Sequence, residues 1–405
     1  MKFGCHVSIE GGVSNAVKQA ARMQINAFAM WTRNGRGWVS KPLDPEEIAR
    51  FKDACSTYKF NPRTDIVPHA SYLINLANPN EEMRLKSYNA FIDELNRCEL
   101  LDIGLYNLHP GSTLGTVKQD GIKYLADAIN RAHKQTKFVK VLLENMAGNP
   151  DRVVGTELED LQQVINLVED KSRVGVCLDS CHAFAAGNDF RSVELFKKFW
   201  EKFDKLIGRE YLGAMHLNDS CWPYESHRDQ HAAIGEGFIG LEFFRILMNN
   251  DEFAEVPMIL ETGNYDDDLA TLNEVRGKQQ AEVKELENSL FEAGKGMRTK
   301  NQAKTDAKTS KTKTKTKAKD LKRANDGDLT SLFSKKPKKA VKKESESEPN
   351  ETDSKSESKS ESKSESKPEI KTETKTEEPK EPEEPEEPKE LETKPEENEE
   401  PEASK

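Results

Sequence analysis

The chain of 405 residues carries 61 Lys+Arg against 72 Asp+Glu, but 28 of the basic and 29 of the acidic side chains fall in residues 291–405, which contain no Cys, Trp or Tyr. Such a stretch buries too little apolar surface to offset its ordering entropy, so the expected folded body is residues 1–290, with 33 basic and 43 acidic side chains, all six cysteines and all eight histidines. The chain has no apolar run approaching the roughly 18 residues of a membrane span, MKFGCHVSIE opens it as a strand rather than a charged leader, the scattered cysteines form no C-x-x-C pair, and the acidic balance of the body argues against nucleic-acid binding by a generally basic surface.

Along the first 290 residues, short runs of Val, Ile, Leu and Phe alternate with stretches of helical period. Strands are predicted at residues 3–7, 27–31, 66–69, 104–109, 138–144, 174–179, 212–216 and 258–261. Helices are predicted at 12–22, 45–58, 81–100, 121–135, 157–169, 191–207, 241–249 and 269–290. Pro45 falls in a first turn, where its missing N–H costs nothing, with Asp44 as N-cap. Eight β-α units with strands too apolar for a wet face predict an α/β fold, a closed (β/α)8 TIM barrel. An open doubly wound sheet is disfavoured because no G-x-G-x-x-G follows the first strand.

Chemistry in such a barrel sits where strands end and βα loops begin. The third strand ends in Pro68-His69, the fourth in His109-Pro110, the fifth in Glu144-Asn145 and the sixth in Asp179-Ser-Cys-His182. The seventh ends in His216 with Asp219 shortly after, the eighth in Glu261-Thr262, and the loop after the seventh adds Asp229-Gln-His231. A lone strand histidine is usually a satisfied core residue. Five of eight histidines together with carboxylates at one rim would repel or desolvate badly unless cations sat among them. Imidazole and carboxylate without thiolate suit zinc, iron or manganese. Five His, two Asp and two Glu are too many for one tetrahedral ion and suit two or three, the arrangement that stabilises both oxygens of a phosphoryl displacement. The residues alone indicate a multinuclear metal hydrolase, with a metal-dependent sugar isomerase on the same barrel as rival.

The segments PHASYLINLA (68–77), NLHPGS (107–112), LENMAG (143–148), VCLDSCHAFAAG (176–187), HLND (216–219) and DQHAAIGEG (229–237) closely resemble the endonuclease IV family of apurinic/apyrimidinic endonucleases. The resemblance spans residues 1 to about 285 and is nearest to fungal members with a basic C-terminal extension. It implies three zinc ions, with manganese the alternative at one site. His69, His109 and Glu144 would hold the first, Glu144, Asp179, His216 and Glu261 the second, and His182, Asp229 and His231 the third. Glu144 would bridge, and Glu261 would position or deprotonate the attacking hydroxide. The implied reaction is hydrolysis of the phosphodiester 5′ to an abasic deoxyribose in duplex DNA, leaving a 3′-hydroxyl and a 5′-deoxyribose phosphate, with removal of 3′ blocking groups at the same site. A sugar without its base is cheap to rotate out of the helix, and Arg36 in TRNGRGW (32–38), Tyr72 and Leu73 match the family's duplex-penetrating residues. Gln230 stands where a basic residue is expected, and Ser180 where Thr is usual. His6 and Asn15 fall near the site without an assigned role.

Residues 295–343 hold 18 basic and 4 acidic side chains, and residues 344–405 hold 10 and 24. The first segment, taken from residue 291, reads as a basic tail and the second as an acidic low-complexity one. Lys322-Arg323 is followed after eleven residues by Lys335, Lys336, Lys338 and Lys339, spacing that resembles a bipartite nuclear import signal and implies an import receptor as partner. Nuclear location is expected, with mitochondrial delivery left open. LTSLF (329–333) resembles a sliding-clamp peptide but lacks its Gln and second aromatic. A monomer without membrane contact is expected.

Overall fold

The computed structural model describes residues 1–292; the import-signal, clamp-peptide and tail readings lie outside the described residues. Among the described residues eight strands run in chain order: β1 (Lys2–Cys5), β2 (Leu105–Leu108), β3 (Lys140–Glu144), β4 (Val174–Asp179), β5 (Leu212–His216), β6 (Asp219–Ser220), β7 (His231–Ala232) and β8 (Pro257–Leu260). Six of them form a parallel sheet in the order β1-β8-β5-β4-β3-β2. All six residues of β4, VGVCLD, are buried, as strands covered on both faces must be.

The strands expected at 27–31 and 66–69 differ from prediction: they are extended segments joined by single parallel bridges, His6 to Ala29, Phe28 to Ile66 and His69 to Asn107. Backbone bonds at each seam close the ring, including Val7 N to Ala29 O at 2.8 Å, Val67 N to Phe28 O at 2.9 Å and Asn107 N to Pro68 O at 2.8 Å. Two sequence features shape these seams. Pro68 has no N–H to extend a ladder, and a Cβ on Gly4 would stand 1.9 Å from the Ala27 carbonyl oxygen, so the segment 27–31 lies against β1 only because residue 4 has no side chain.

Helices wrap the ring, at Val13–Arg22, Pro45–Tyr58, Glu81–Leu100, Lys118–His133, Leu158–Leu167, Ser180–Ala185, Val193–Leu206, Leu241–Met248, Tyr265–Val275 and Gln280–Glu292. Asp44 caps the second as expected, its side chain accepting from Glu46 N at 3.0 Å. The helix expected at 269–290 is two helices. Gly277, at φ +79, sits in the turn between them, a conformation that glycine adopts without strain. Phe28, Phe91, Phe184 and Phe244 belong to the main core, while Val67, Leu142, Cys177 and Ala214 form a separate buried cluster on the barrel strands. All six cysteines are free and buried. No helix among the described residues is long and apolar enough to cross a membrane.

Candidate metal centre

Glu144, Asp179 and His216 are the last residues of β3, β4 and β5; Glu261 follows β8, His109 follows β2, and His69 ends the extended segment 66–69. Asp179 also caps the short helix Ser180–Ala185, accepting from His182 N at 2.7 Å, which turns His182 over the rim. Asp229 lies in the loop between β6 and β7, and His231 opens β7. Ligand atoms lie within 4.8 Å of one another in each of three groups: His69, His109 and Glu144; Glu144, Asp179, His216 and Glu261; His182, Asp229 and His231. The structure thus brings together all nine residues singled out from the sequence in those three groups, and Asp179, Cys181 and His231 form a fourth, overlapping set.

The distances within the groups fit divalent ions. Around an ion with bonds of about 2.0–2.1 Å, tetrahedral ligand atoms stand roughly 3.3–3.4 Å apart. Glu144 Oε2 lies 3.4 Å from His69 Nε2 and 3.3 Å from His109 Nε2. Asp229 Oδ1 lies 3.1 Å from His182 Nε2 and 3.4 Å from His231 Nε2, yet both nitrogens are buried without a hydrogen-bond partner. Ligand atoms at this spacing leave room for one cation among them. In the middle group, His216 Nδ1 lies 3.1 Å from both Glu144 Oε1 and Glu261 Oε2. His69 and His182 turn Nδ1 to the carbonyls of Ala70 (2.7 Å) and Asn145 (3.0 Å). A nitrogen facing a carbonyl carries a proton, so in the neutral ring that a metal would bind Nε2 holds the lone pair.

Three asparagines without a role in the sequence analysis brace the ligands, Asn107 and Asn218 through carboxylates and Asn145 through the main chain of Asp179. Asn107 donates to Glu144 Oε2. Asn145 accepts from Asp179 N at 2.7 Å. Asn218 donates to Asp179 Oδ2 at 2.7 Å and to Glu261 Oε2 at 3.2 Å, and accepts from Glu261 N. Each stands one or two residues from a ligand, and that adjacency was the available signal. Asp219 is a different case. Its carboxylate accepts from the N–H groups of Ser220, Gly235, Gly237, Ile239 and Gly240, so it shapes a loop and joins none of the ligand groups.

Electrostatics reflect the crowding. Burial works to raise the Glu144 carboxyl, but the His216 and His109 imidazoles hold it well below the usual carboxylate range. Glu261 and Asp229 are likewise held low against burial, by His216 and by His182 with His231. Burial opposes charge on His182, yet Asp179 and Asp229 push it well above the ordinary imidazole value. His6 shows the contrast: burial and the neighbouring His69 lower it to about 4, and its ring packs on Trp31 at 4.0 Å. Asn15 donates to the Glu10 carbonyl and joins none of the three groups.

Arg36 and Tyr72 are exposed and Leu73 is half-buried. Arg36 and Tyr72 line a cleft of about 500 Å³ with Trp31, Arg33 and Gly35. Gln230, exposed in the β6–β7 loop, accepts from Trp222 Nε1 at 3.0 Å, and Arg228 stacks on the same indole at 4.1 Å. Ser180 Oγ bonds the carbonyls of His216 and Asn218.

A closed parallel barrel with this rim defines a class, and the comparisons agree: the family model of the xylose isomerase-like TIM barrel matches residues 17–286. The chain is 49% identical over 291 residues to apurinic-apyrimidinic endonuclease 1 of Saccharomyces cerevisiae, covering 72% of this chain and 78% of that one. It is 45% identical over 261 residues to a probable endonuclease 4 of Campylobacter curvus, covering 64% of this chain and 92% of that one. The crystal structure of endonuclease IV from Thermus thermophilus matches with a TM-score of 0.59 and 28% identity, over 68% of this chain and 98% of the other. The chain belongs to the endonuclease IV family of apurinic/apyrimidinic endonucleases.

Proposed function

We propose that the protein is a zinc-dependent DNA repair endonuclease that hydrolyses the phosphodiester 5′ to an abasic site, leaving a 3′-hydroxyl and a 5′-deoxyribose phosphate, and that clears blocking groups from 3′ ends at the same rim. The single observation that carries this reading is the convergence of nine His, Asp and Glu side chains into three groups, two of which share Glu144. Three zinc ions fit those groups, with Glu144 between the first two. Such ions supply electrophilic charge for a phosphate and lower the pKa of an attacking water. The chain's own residues do the rest: Asn107 and Asn218 orient Glu144, Asp179 and Glu261, and Glu261, half-buried at the rim, positions the water. Arg36, Tyr72 and Leu73 fill the gap left by the displaced sugar. The basic segment beyond residue 292 directs the protein to the nucleus by way of an import receptor.

The test is metal analysis of the purified full chain beside cleavage of a duplex bearing one tetrahydrofuran abasic analogue. About three zinc ions per chain and incision 5′ to the analogue, giving a product that a polymerase extends, are expected. A zinc-loaded protein that leaves the analogue intact would overturn the substrate, and a metal-free active protein would overturn the chemistry.

A further inference from the structure

The loop carrying Arg36 and the loop carrying Tyr72 and Leu73 come from different parts of the barrel, yet one buried carboxylate holds both. Glu94, on the helix Glu81–Leu100, is 2% exposed. Its Oε1 accepts from Arg33 Nε at 2.8 Å, and Arg33 also donates to the Gly37 carbonyl, which fixes the turn at Arg36. Its Oε2 accepts from Ser71 N at 3.2 Å and from the Tyr106 hydroxyl at 2.7 Å. Ser71 completes the tie: its Oγ donates to the Gly35 carbonyl at 2.6 Å and accepts from Leu73 N at 3.3 Å. Tyr106 lies on β2 beside Asn107, which holds Glu144. The carboxylate therefore links both loops to the strand next to the metal groups.

A buried ion pair of this kind gains little stability over apolar residues of equal volume. What it fixes is geometry, and loops gain most from that because side chains on loops are set less accurately than those on helices or strands. On the functional reading above, we propose that Glu94 is a positioning residue, fixing the spacing between Arg36 and the Tyr72–Leu73 pair so that both enter one gap in a duplex. It touches neither DNA nor metal and acts through Arg33 and Ser71.

The experiment uses the full-length, metal-loaded protein. Glu94→Gln keeps the shape and removes the charge, and it is expected to raise KM for the abasic-analogue duplex about tenfold, a change near 1.4 kcal/mol, while kcat stays within about twofold and zinc content is unchanged. Because the effect runs through the loops, Glu94→Gln added to Tyr72→Ala should cost less than the two single effects together. Ser71→Ala, which cuts the Gly35 link, should shift KM in the same direction by about threefold and serves if the first variant folds poorly. Amide hydrogen exchange should quicken in residues 33–37 and 71–73 together. Additive effects with Tyr72→Ala, a loss of kcat and zinc at constant KM, or faster exchange in only one loop would overturn the assignment. If the wild type does not cut abasic duplex, the functional reading fails, and the exchange result still decides whether Glu94 ties the loops.

Discussion

Tyr72 packs its ring edge-on against His109 with centroids 5.8 Å apart, and yet remains 69% exposed. It also lies 5.4 Å from the His69 ring. On the proposed function, a side chain that rests on the imidazoles of His69 and His109 and projects into solvent would hold open a duplex beside the metal groups. Aromatic wedges act on DNA deformation energy, so Tyr72→Ala should weaken binding of abasic duplex by about tenfold, roughly 1.4 kcal/mol, and leave zinc content intact. Fluorescence anisotropy beside metal analysis reads both. Parallel loss of zinc and binding would make Tyr72 a support of the imidazoles instead of a wedge.

Glu144→Ala removes the one carboxylate that two groups share. The imidazoles of His69, His109 and His216 lose their common anionic neighbour, and any cations there would face each other unscreened. Zinc content should fall by more than one ion per chain, and incision should drop by at least about 10³-fold if the metals carry the chemistry. Circular dichroism should still report a folded barrel. An unchanged zinc count would refute the bridge.

The positions of these groups were legible because a parallel barrel fixes one rule: chemistry collects at strand ends. His69, His109, Glu144, Asp179, His216 and Glu261 could be placed from apolar runs alone. Asp229 and His231 were harder to place, since the β6–β7 hairpin that presents them has two-residue strands, too short for any periodicity. The asparagines escaped for another reason. Their value lies in which oxygen they hold, and hydrogen-bond partners far apart in sequence, such as Asn107 with Glu144, leave no local pattern. The break at Gly277 was masked by helical composition on both sides, and the shortened pairing at 27–31 by the fact that Gly4 acts through its missing side chain.

Asn218 is the most economical probe of that outer layer. It donates to carboxylates from two different strands, Asp179 and Glu261. Outer-shell partners of this type are typically worth 10–100-fold in metal affinity or activity. Asn218→Ala should therefore lower zinc affinity by about that factor in chelator competition, and excess zinc should restore part of the incision rate. No change in affinity would show that the main chain alone orients the two carboxylates.

The pH dependence of stability should differ between the chelated and the zinc-loaded protein. Despite burial, nearby carboxylates raise His182 well above the usual imidazole range and His69 and His231 above it, and Cys177 with Glu261 and Glu144 raises His216 well above it. Unfolded imidazoles titrate near about 6.5. A raised folded value gives stability that is complete below that pH and is lost as pH rises through the folded values. Glu144, Glu261 and Asp229, held low, contribute above about pH 4 and lose their contribution on acidification. The chelated barrel should lose thermal stability as pH rises above about 6.5, whereas the zinc-loaded one should keep it, because its imidazoles are already neutral ligands. Calorimetry across that range, with chelator and with zinc, checks the sign; a flat Tm in chelator would contradict it.

Ending the chain at Glu292 should separate catalysis from delivery. The helix Gln280–Glu292 belongs to the barrel: Val283 is buried, Leu286 and Leu290 pack on the core, and Glu287 accepts from Leu241 N at 2.7 Å at the start of the helix Leu241–Met248. A cut before residue 280 would expose that surface at a cost of about 1.5–3 kcal/mol for each large apolar side chain, whereas a cut at 292 retains all of it. The 1–292 fragment should fold, carry its zinc and incise abasic duplex at physiological salt. It should fail to accumulate in the nucleus, because Lys322, Arg323, Lys335, Lys336, Lys338 and Lys339 are removed. It should also lose the nonspecific DNA affinity that a segment with 18 basic and 4 acidic side chains provides, an affinity that falls steeply with salt through counterion release. Removing only residues 344–405, with their 24 acidic side chains, should do the reverse and tighten binding in dilute salt, with little change near physiological salt, where the Debye length is about 8 Å. A 1–292 fragment that is folded and zinc-loaded but inactive would place part of the catalytic apparatus beyond the barrel.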